Sequence, residues 1–412
     1  MSLLIEKGTV IDPASGECIV RDLYIENGKI QELPAAVPPE TKRISAEGLW
    51  VLPGLIDLHV HLRDPGLTHK ETIETGSKAA AAGGFTTICA MPNTQPVTDC
   101  AEVVEYVKRA SLQAPYAHVL PIGAITVGQK GSMLTDQRRM QEAGICAISE
   151  DGKSVADADL MEQAMIRAKK LSLPILDHCE DPELAKQGDS REAENQMTQR
   201  EIQLAEKTGA ALHICHVSTR ESAQMVRDAQ QRGLCVTAEV CPHHFTLDNS
   251  ELARGDSNYK MNPPLREKDD VEAMKEALRD GTISCIATDH APHAEYEKGP
   301  MEKAANGIIG LETAVGLGIT ELVDTGVLTP LQWAACMSTN PAKVLGIPKG
   351  SLQTGREADI VLIDPEAEYI VDVDRFYSKS KNSPYGGRRL KGRVMMTILS
   401  GKIVYEKGEI KE

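Results

Sequence analysis

Two histidines stand two residues apart in the stretch Asp57-Leu58-His59-Val60-His61-Leu62-Arg63-Asp64-Pro65. They follow an apolar run that begins at Trp50-Val51-Leu52 and is broken only by Pro53-Gly54. A run of Val, Ile and Leu reads as a buried strand of a parallel sheet. On a strand, residues two apart point to the same face. His59 and His61 therefore set two imidazoles side by side, which is half of a tetrahedral metal site. The plainer reading is two ordinary polar residues near a strand end, and the rest of the chain decides between the two.

Four more residues of ligand type stand at the ends of apolar runs. They are Asp151 in Ile148-Ser149-Glu150-Asp151-Gly152, His178 in Leu176-Asp177-His178-Cys179, His216 in His213-Ile214-Cys215-His216, and Asp289 in Ala287-Thr288-Asp289-His290. Each alone reads as structural. Together they give four imidazoles and two carboxylates at matching positions, and that pattern points to metal. Imidazole with carboxylate suits Zn²⁺, with Mn²⁺ or Co²⁺ as alternatives. Asp151 could bridge two ions, one held by His59 and His61, the other by His178 and His216. A hydroxide between two such cations is nucleophilic near neutral pH. Asp289 could bind one ion and take a proton from that water.

The elements that must position these residues form a series. Eight strand-like runs are expected at Ile56–Val60, Thr86–Ala90, His118–Ile125, Ile145–Ser149, Ile175–His178, Ala211–His216, Cys235–Val240 and Ile283–Thr288. Helical periodicity falls between them, around Ala101–Ala110, Leu160–Lys170 and Val271–Leu278. Thr68-x-x-Glu71 and Ser218-x-x-Glu221 read as capping boxes. Such alternation predicts an α/β fold, a (β/α)₈ TIM-like barrel whose chemistry sits at the C-terminal ends of the strands. A doubly wound open sheet is the alternative, but no Gly-x-Gly-x-x-Gly follows any strand.

The two ends of the chain have a different character. Leu3-Leu4-Ile5, Val10-Ile11 and Cys18-Ile19-Val20 are short apolar runs between turn residues, and Asn27-Gly28 is a strong hairpin signal. After Gly350 the same character returns, in Ala358–Ile363, Met395–Leu399 and Ile403-Val404-Tyr405. Neither end makes a comfortable unit alone. Residues 1–52 and 350–412 are expected to form one small composite β-domain beside a catalytic barrel of residues 53–349.

Composition narrows the function. The chain has 412 residues, 41% hydrophobic and 25% charged, with a formal net charge of -15. That charge argues against non-specific binding to nucleic acid or to an anionic membrane. It also requires local cations for any anionic substrate. No apolar stretch is as long as a membrane span, and the N-terminus lacks the core of a signal peptide, so a cytoplasmic location is expected. The 10 cysteines show no Cys-x-x-Cys pairing, and Cys89, Cys146, Cys215 and Cys285 lie in apolar runs. They read as small hydrophobes rather than a disulfide framework.

The stretch Asp57–Pro65, together with Ala287-Thr288-Asp289-His290-Ala291-Pro292-His293 and Lys298, resembles the two signatures of dihydroorotases of the amidohydrolase superfamily. Gly350-Ser351-Leu352, Gly355 and Ala358-Asp359-Ile360-Val361 resemble that superfamily's return to its β-domain. The resemblance covers essentially the whole chain. It implies a metal-dependent barrel that interconverts L-dihydroorotate and N-carbamoyl-L-aspartate in pyrimidine synthesis by metal-hydroxide attack on a cyclic amide. It implies metal positions at His59, His61, Asp151, His178, His216 and Asp289, with one or two zinc ions. It places the substrate carboxylate at Arg63, Asn93 and His293, and a ring contact at Asn262. The aspartate at the fourth strand resembles the class I branch; many relatives carry a carboxylated lysine there, and Lys153 is out of register for that role. A homodimer and an association with aspartate transcarbamoylase are partners the resemblance allows.

The chemistry of Arg63 supports this independently. A guanidinium two residues beyond His61 can take a carboxylate bidentately. The rival within the superfamily is a hydantoinase, dihydropyrimidinase or allantoinase, whose substrates lack the ring carboxylate. The rival from another class is an inactive scaffold that binds aspartate transcarbamoylase, but such chains lose metal histidines and this one keeps the set. His243 and His244 match no metal position and are expected to be supporting structure. Gly188–Gln199 and Lys298–Gly310 are candidate lids beside the mouth.

Overall fold

The computed structural model describes residues 2–411. The chain opens with strands β1 (Ser2–Asp12), β2 (Glu17–Glu26), β3 (Lys29–Gln31), β4 (Lys42–Ser45) and β5 (Trp50–Pro53). Strands β2 and β3 meet at Asn27-Gly28, with Glu26 opposite Lys29. Both turn residues have positive φ, 52° and 77°. That is the two-residue turn that Asn-Gly favours, because its twist matches that of the strands. The runs Leu3-Leu4-Ile5 and Val10-Ile11, expected as separate strands, belong to the single strand β1. A register shift between Ile5 and Gly8 interrupts its pairing with β2. A Cβ at Gly8 would lie 2.4 Å from Val51 Cγ2, so glycine there is what lets β1 lie against β5.

The barrel follows as β6 (Leu55–Val60), β7 (Phe85–Ala90), β8 (His118–Ala124), β9 (Ala147–Ser149), β10 (Ile175–Asp177), β11 (Leu212–Ile214), β12 (Val236–Val240) and β13 (Cys285–Ile286). They pair in sequence order, all parallel. The ring closes where Val60 bridges His290 and the His61 N–H donates to the His290 carbonyl at 2.9 Å. Helices connect most successive strands. The result is the expected (β/α)₈ barrel, and its strands are apolar runs because both their faces are covered. Ile56, Leu58, Cys89, Ile122, Leu176, Cys215 and Cys285 from around the ring form one buried cluster. The cysteines there act as small apolar side chains, and every described cysteine is free.

The chain then returns to its first sheet through β14 (Ile360–Ile370), β15 (Arg389–Leu399), β16 (Lys402–Glu406) and β17 (Glu409–Ile410). Strand β5 is the seam: it pairs with β1 on one side and with β14 on the other. Both ends of the chain thus form one nine-stranded sheet. Among the described residues, no helix is long and apolar enough to cross a membrane.

Three local expectations are corrected. Thr68 and Glu71 do not cap a helix; the helix Ile73–Ala82 is capped by Thr72 with Thr75. Glu71 is drawn instead into the interior, where His290 Nε2 lies 3.2 Å away. Likewise Thr219, not Ser218, caps the helix Arg220–Gln231, because Ser218 bonds the buried carboxylate of Glu194. Gly188–Gln199 is not a lid loop. Most of it lies in the helix Ser190–Thr208, whose Ala193, Glu194, Met197 and Thr198 are buried.

Candidate metal centre and active site

Strand ends bring the six expected ligands to one mouth. His59 lies on β6 and His61 just beyond it; Asp151, His178, His216 and Asp289 each follow a barrel strand. Asp151 is the hub. Its Oδ1 lies 3.2 Å from His59 Nε2, and 3.6 Å from both His178 Nδ1 and His216 Nε2. Its Oδ2 lies 3.4 Å from His61 Nε2. Asp289 Oδ1 lies 3.0 Å from His61 Nε2 and 3.5 Å from His59 Nε2. All six are buried.

The donor atoms form two triads that share Asp151: His59, His61 and Asp151, and Asp151, His178 and His216. The imidazoles of His59, His61 and His178 are held by partners on their far sides. His59 Nδ1 faces Glu239 Oε1 at 3.0 Å, and Glu239 Oε2 faces His213 Nε2 at 3.1 Å. His61 Nδ1 donates to Asn93 Oδ1 at 2.8 Å, since a carboxamide oxygen only accepts. His178 Nε2 faces Glu180 Oε2 at 3.4 Å, and Asn262 Nδ2 donates to the other oxygen of Glu180 at 3.1 Å. Carboxylates and carbonyls behind imidazoles fix the tautomer that leaves the inner nitrogen with its lone pair. His59 Nε2 is fully buried and has no hydrogen-bond partner. A buried nitrogen left so, among carboxylates and other imidazoles, fits a divalent cation.

Electrostatics agree with this division. Burial pushes the Glu239 carboxyl up, but hydrogen bonds from His213 and His59 outweigh it and hold it down at about 2. Burial also pushes Asp151 up, and the surrounding histidines hold it well below the usual carboxylate range. Glu150, beside Asp151 in sequence, turns away from the cluster: it accepts the N–H groups of Ile125 and Thr126 at 3.1 and 3.0 Å. Lys153 donates to the Gln129 carbonyl and does not join the cluster.

The substrate side of the cavity is lined by His61, Arg63, Asn93, Asp151, His178, His216, Asn262, Asp289 and His293, and by Asn306 and Gly307. Arg63 Nε donates to the Pro292 carbonyl at 3.2 Å, and its Nη2 lies 3.4 Å from His293 Nε2. His293 Nε2 donates to the Asn306 carbonyl at 2.8 Å. Burial lowers the His293 imidazole to about 3, and Arg63 and Lys70 add to that, so it is neutral. Arg63, His216 and Asp289 all have φ in the left-handed region, 60°, 36° and 46°. Such strain in residues with side chains collects where surrounding structure holds a functional group in place.

His243 and His244 lie on the short helix Pro242–Thr246, where His244 Nε2 donates to the Pro263 carbonyl at 3.0 Å. The stretch after Lys298, the second expected lid, is pinned by the Lys298 ammonium, which donates to the carbonyls of Lys260, Ala305 and Gly307. Sequence reasoning missed Glu239, Glu180 and Asn382, and gave Glu71 a helix-capping role in place of its contact with His290. Glu239 had a signal: it shares a strand face with Thr237, and polar residues on a buried strand need partners. Asn382 had none, because its partners are far away in sequence.

Residues 48–222 match a family model described as Dihydro-orotase-like. The chain is 48% identical to a dihydroorotase from Pelotomaculum thermopropionicum, over 98% of this chain and 99% of that protein. It is 46% identical to a dihydroorotase from Geobacter metallireducens, over 99% of this chain and 100% of that protein. Among solved structures it resembles an L-hydantoinase (dihydropyrimidinase) from Arthrobacter aurescens, with a TM-score of 0.92 at 26% identity, covering 100% of this chain and 97% of that one. A dihydropyrimidinase from Brevibacillus agri is similar at a TM-score of 0.88 and 25% identity, with 100% and 96% covered.

Proposed function

The chain belongs to the dihydroorotase family, and we propose that the cavity described above opens and closes the dihydroorotate ring, with Arg63 selecting the ring carboxylate. The observation that carries this reading is that Arg63 and His293 line the same cavity as the two triads sharing Asp151. A buried guanidinium answers the need for a local cation in a chain of net charge -15.

His59, His61 and Asp151 would hold one metal ion, and Asp151, His178 and His216 a second. When bound, zinc ions there polarise the scissile carbonyl and make water acidic enough to attack near neutral pH. The chain's own groups do the rest. Arg63 takes the ring carboxylate bidentately, and the stiff Ala291-Pro292-His293 segment sets the distance from that anchor to Asp289. Asn262, tied to Glu180, lies beside the ring. Asp289 accepts the proton of the attacking water. The ring C–N bond then breaks, and Asp289 returns the proton to the departing nitrogen, which leaves as the ureido amine of N-carbamoyl-L-aspartate while the carbonyl carbon becomes a carboxylate. In the synthetic direction the ureido amine attacks that carboxyl group and water leaves.

The aspartate after the fourth barrel strand and the terminal sheet support a place in the class I branch. A cytoplasmic location fits the same proposal, and so do a homodimer and an association with aspartate transcarbamoylase; light scattering of the pure protein and of the mixture reads the last two. The test of function is hydrolysis of dihydroorotate by metal-stripped and zinc-reloaded protein, with hydantoin and dihydrouracil beside it. Zinc-dependent turnover of dihydroorotate alone is expected. Turnover of the uncharged rings at a similar rate would move the function to a hydantoinase.

A further inference from the structure

We infer that Asn382 is a positioning residue for the substrate-carboxylate anchor, supplied to the barrel mouth by the terminal sheet. This rests on the reading of Arg63 and His293 given above. Asn382 lies in the connection between β14 and β15, residues 371–388, and its side chain is buried. Its Oδ1 accepts the His293 N–H at 3.1 Å. Its Nδ2 donates to the Ala291 carbonyl at 3.0 Å and to the Gly307 carbonyl at 3.1 Å. Its backbone carbonyl accepts the Ile309 N–H at 3.0 Å. One carbonyl oxygen and both amide hydrogens are therefore used, and the carboxamide is satisfied.

These bonds fall on either side of the groups that matter. Ala291 and His293 flank Pro292, whose carbonyl receives Arg63 Nε. Gly307 follows Asn306, whose carbonyl receives His293 Nε2. Asn382 thus sets the acceptor that orients the Arg63 guanidinium, the backbone that carries the imidazole, and the strand of chain against which that imidazole rests. There is no slack at this point: a Cβ on Gly307 would lie 2.6 Å from Ala291 Cβ. The segment carrying Asn382 is itself fixed to the barrel. Ser378 Oγ and the Lys379 N–H donate to Glu71 at 2.5 and 3.0 Å, and Ser380 Oγ donates to the Lys70 carbonyl at 2.7 Å. The terminal sheet reaches the active site through this segment, and Asn382 is its contact with the anchor.

The experiment compares Asn382→Ala, Asn382→Asp, His293→Ala and the double variant Asn382→Ala/His293→Ala, reading kcat and KM for dihydroorotate hydrolysis, bound zinc and melting temperature. Asn382→Asp keeps the shape and removes both donors. Asn382→Ser, which keeps one donor and one acceptor, replaces alanine if the alanine protein does not fold. The expected result is a KM raised roughly tenfold in Asn382→Ala and Asn382→Asp, with kcat changed less and zinc content unchanged. In the His293→Ala background, Asn382→Ala should raise KM by clearly less than it does in the wild type, because the imidazole it positions is gone while the carbonyl that orients Arg63 is still set by it. Full multiplication of the two effects, or a lowered melting temperature with KM unchanged, overturns the inference. An unchanged KM in His293→Ala alone overturns instead the reading of the anchor, and the two failures are distinct.

Discussion

His59 and Glu239 face each other at 3.0 Å, both wholly buried, with Glu239 held from its other side by His213 at 3.1 Å. The pair ties the first strand of the barrel to the seventh beneath the two triads that share Asp151. It also fixes which nitrogen of His59 is offered to the cavity. A carboxylate behind a metal-binding imidazole raises its basicity and locks its tautomer.

Replacing Glu239 by Gln should therefore weaken metal binding without unfolding the protein. A glutamine can present its amide nitrogen to His59 Nδ1 and favour the wrong tautomer. The expected loss of metal affinity is roughly 10- to 100-fold, read by competition with a chelator. Unchanged affinity would mean that Glu239 serves only to join the strands.

Arg63 gives the sharpest test of substrate choice. Arg63→Lys keeps the charge and loses the planar fork. One charge-assisted hydrogen bond is worth about 1.5–3 kcal/mol, so kcat/KM on dihydroorotate should fall by roughly 10- to 150-fold. Any residual rate on dihydrouracil, which has no carboxylate, should be unaltered. An equal fall on both rings would show that Arg63 supports the site rather than reading the substrate.

The barrel was legible because its strands are apolar on both faces and residues of ligand type recur at one end. Asp151, His178, His216 and Asp289 lie where alternation of strand and helix puts them. The capping boxes at Thr68 and Ser218 misled because a Ser or Thr followed three residues later by Glu has a local meaning only if that carboxylate stays local. Glu71 instead reaches His290 and the segment at Ser378, and Ser218 is captured by Glu194. Both partnerships are tertiary. Gly188–Gln199 looked like a lid because it is polar, yet the helix there buries Glu194 against Arg266. Polarity marks exposure only where no ion pair is buried. Asn93 shows the same limit on finer scale: its oxygen holds His61, a role that its place after a strand does not distinguish from a substrate contact.

Asp289 should separate chemistry from metal binding. Asp289→Asn keeps the shape and removes the group that accepts and returns the proton. General acid–base catalysis contributes about 10²- to 10⁴-fold, and kcat should fall by that much in both directions of the reaction. Zinc retained in the variant would assign the loss to proton transfer. Full turnover would sink the role given to Asp289.

The Glu194–Arg266 pair makes a prediction about stability and pH. Glu194 Oε2 lies 3.1 Å from Arg266 Nη2, and its Oε1 accepts the N–H groups of Ser218 and Thr219 at 3.0 Å each. Burial raises the carboxyl, but the Arg266 guanidinium and these hydrogen bonds outweigh it and hold it below its ordinary value. A carboxyl lowered in the folded state contributes stability above its unfolded value, about 4.3, and loses it as pH falls through the folded value. Arg266→Met leaves the carboxylate buried without its cation, which costs about 3–5 kcal/mol. In that variant the carboxyl rises, so protonation relieves it earlier. The gap in melting temperature between wild type and Arg266→Met should be wide at neutral pH and narrow toward pH 4. A gap independent of pH would mean that Arg266 contributes by packing rather than by charge.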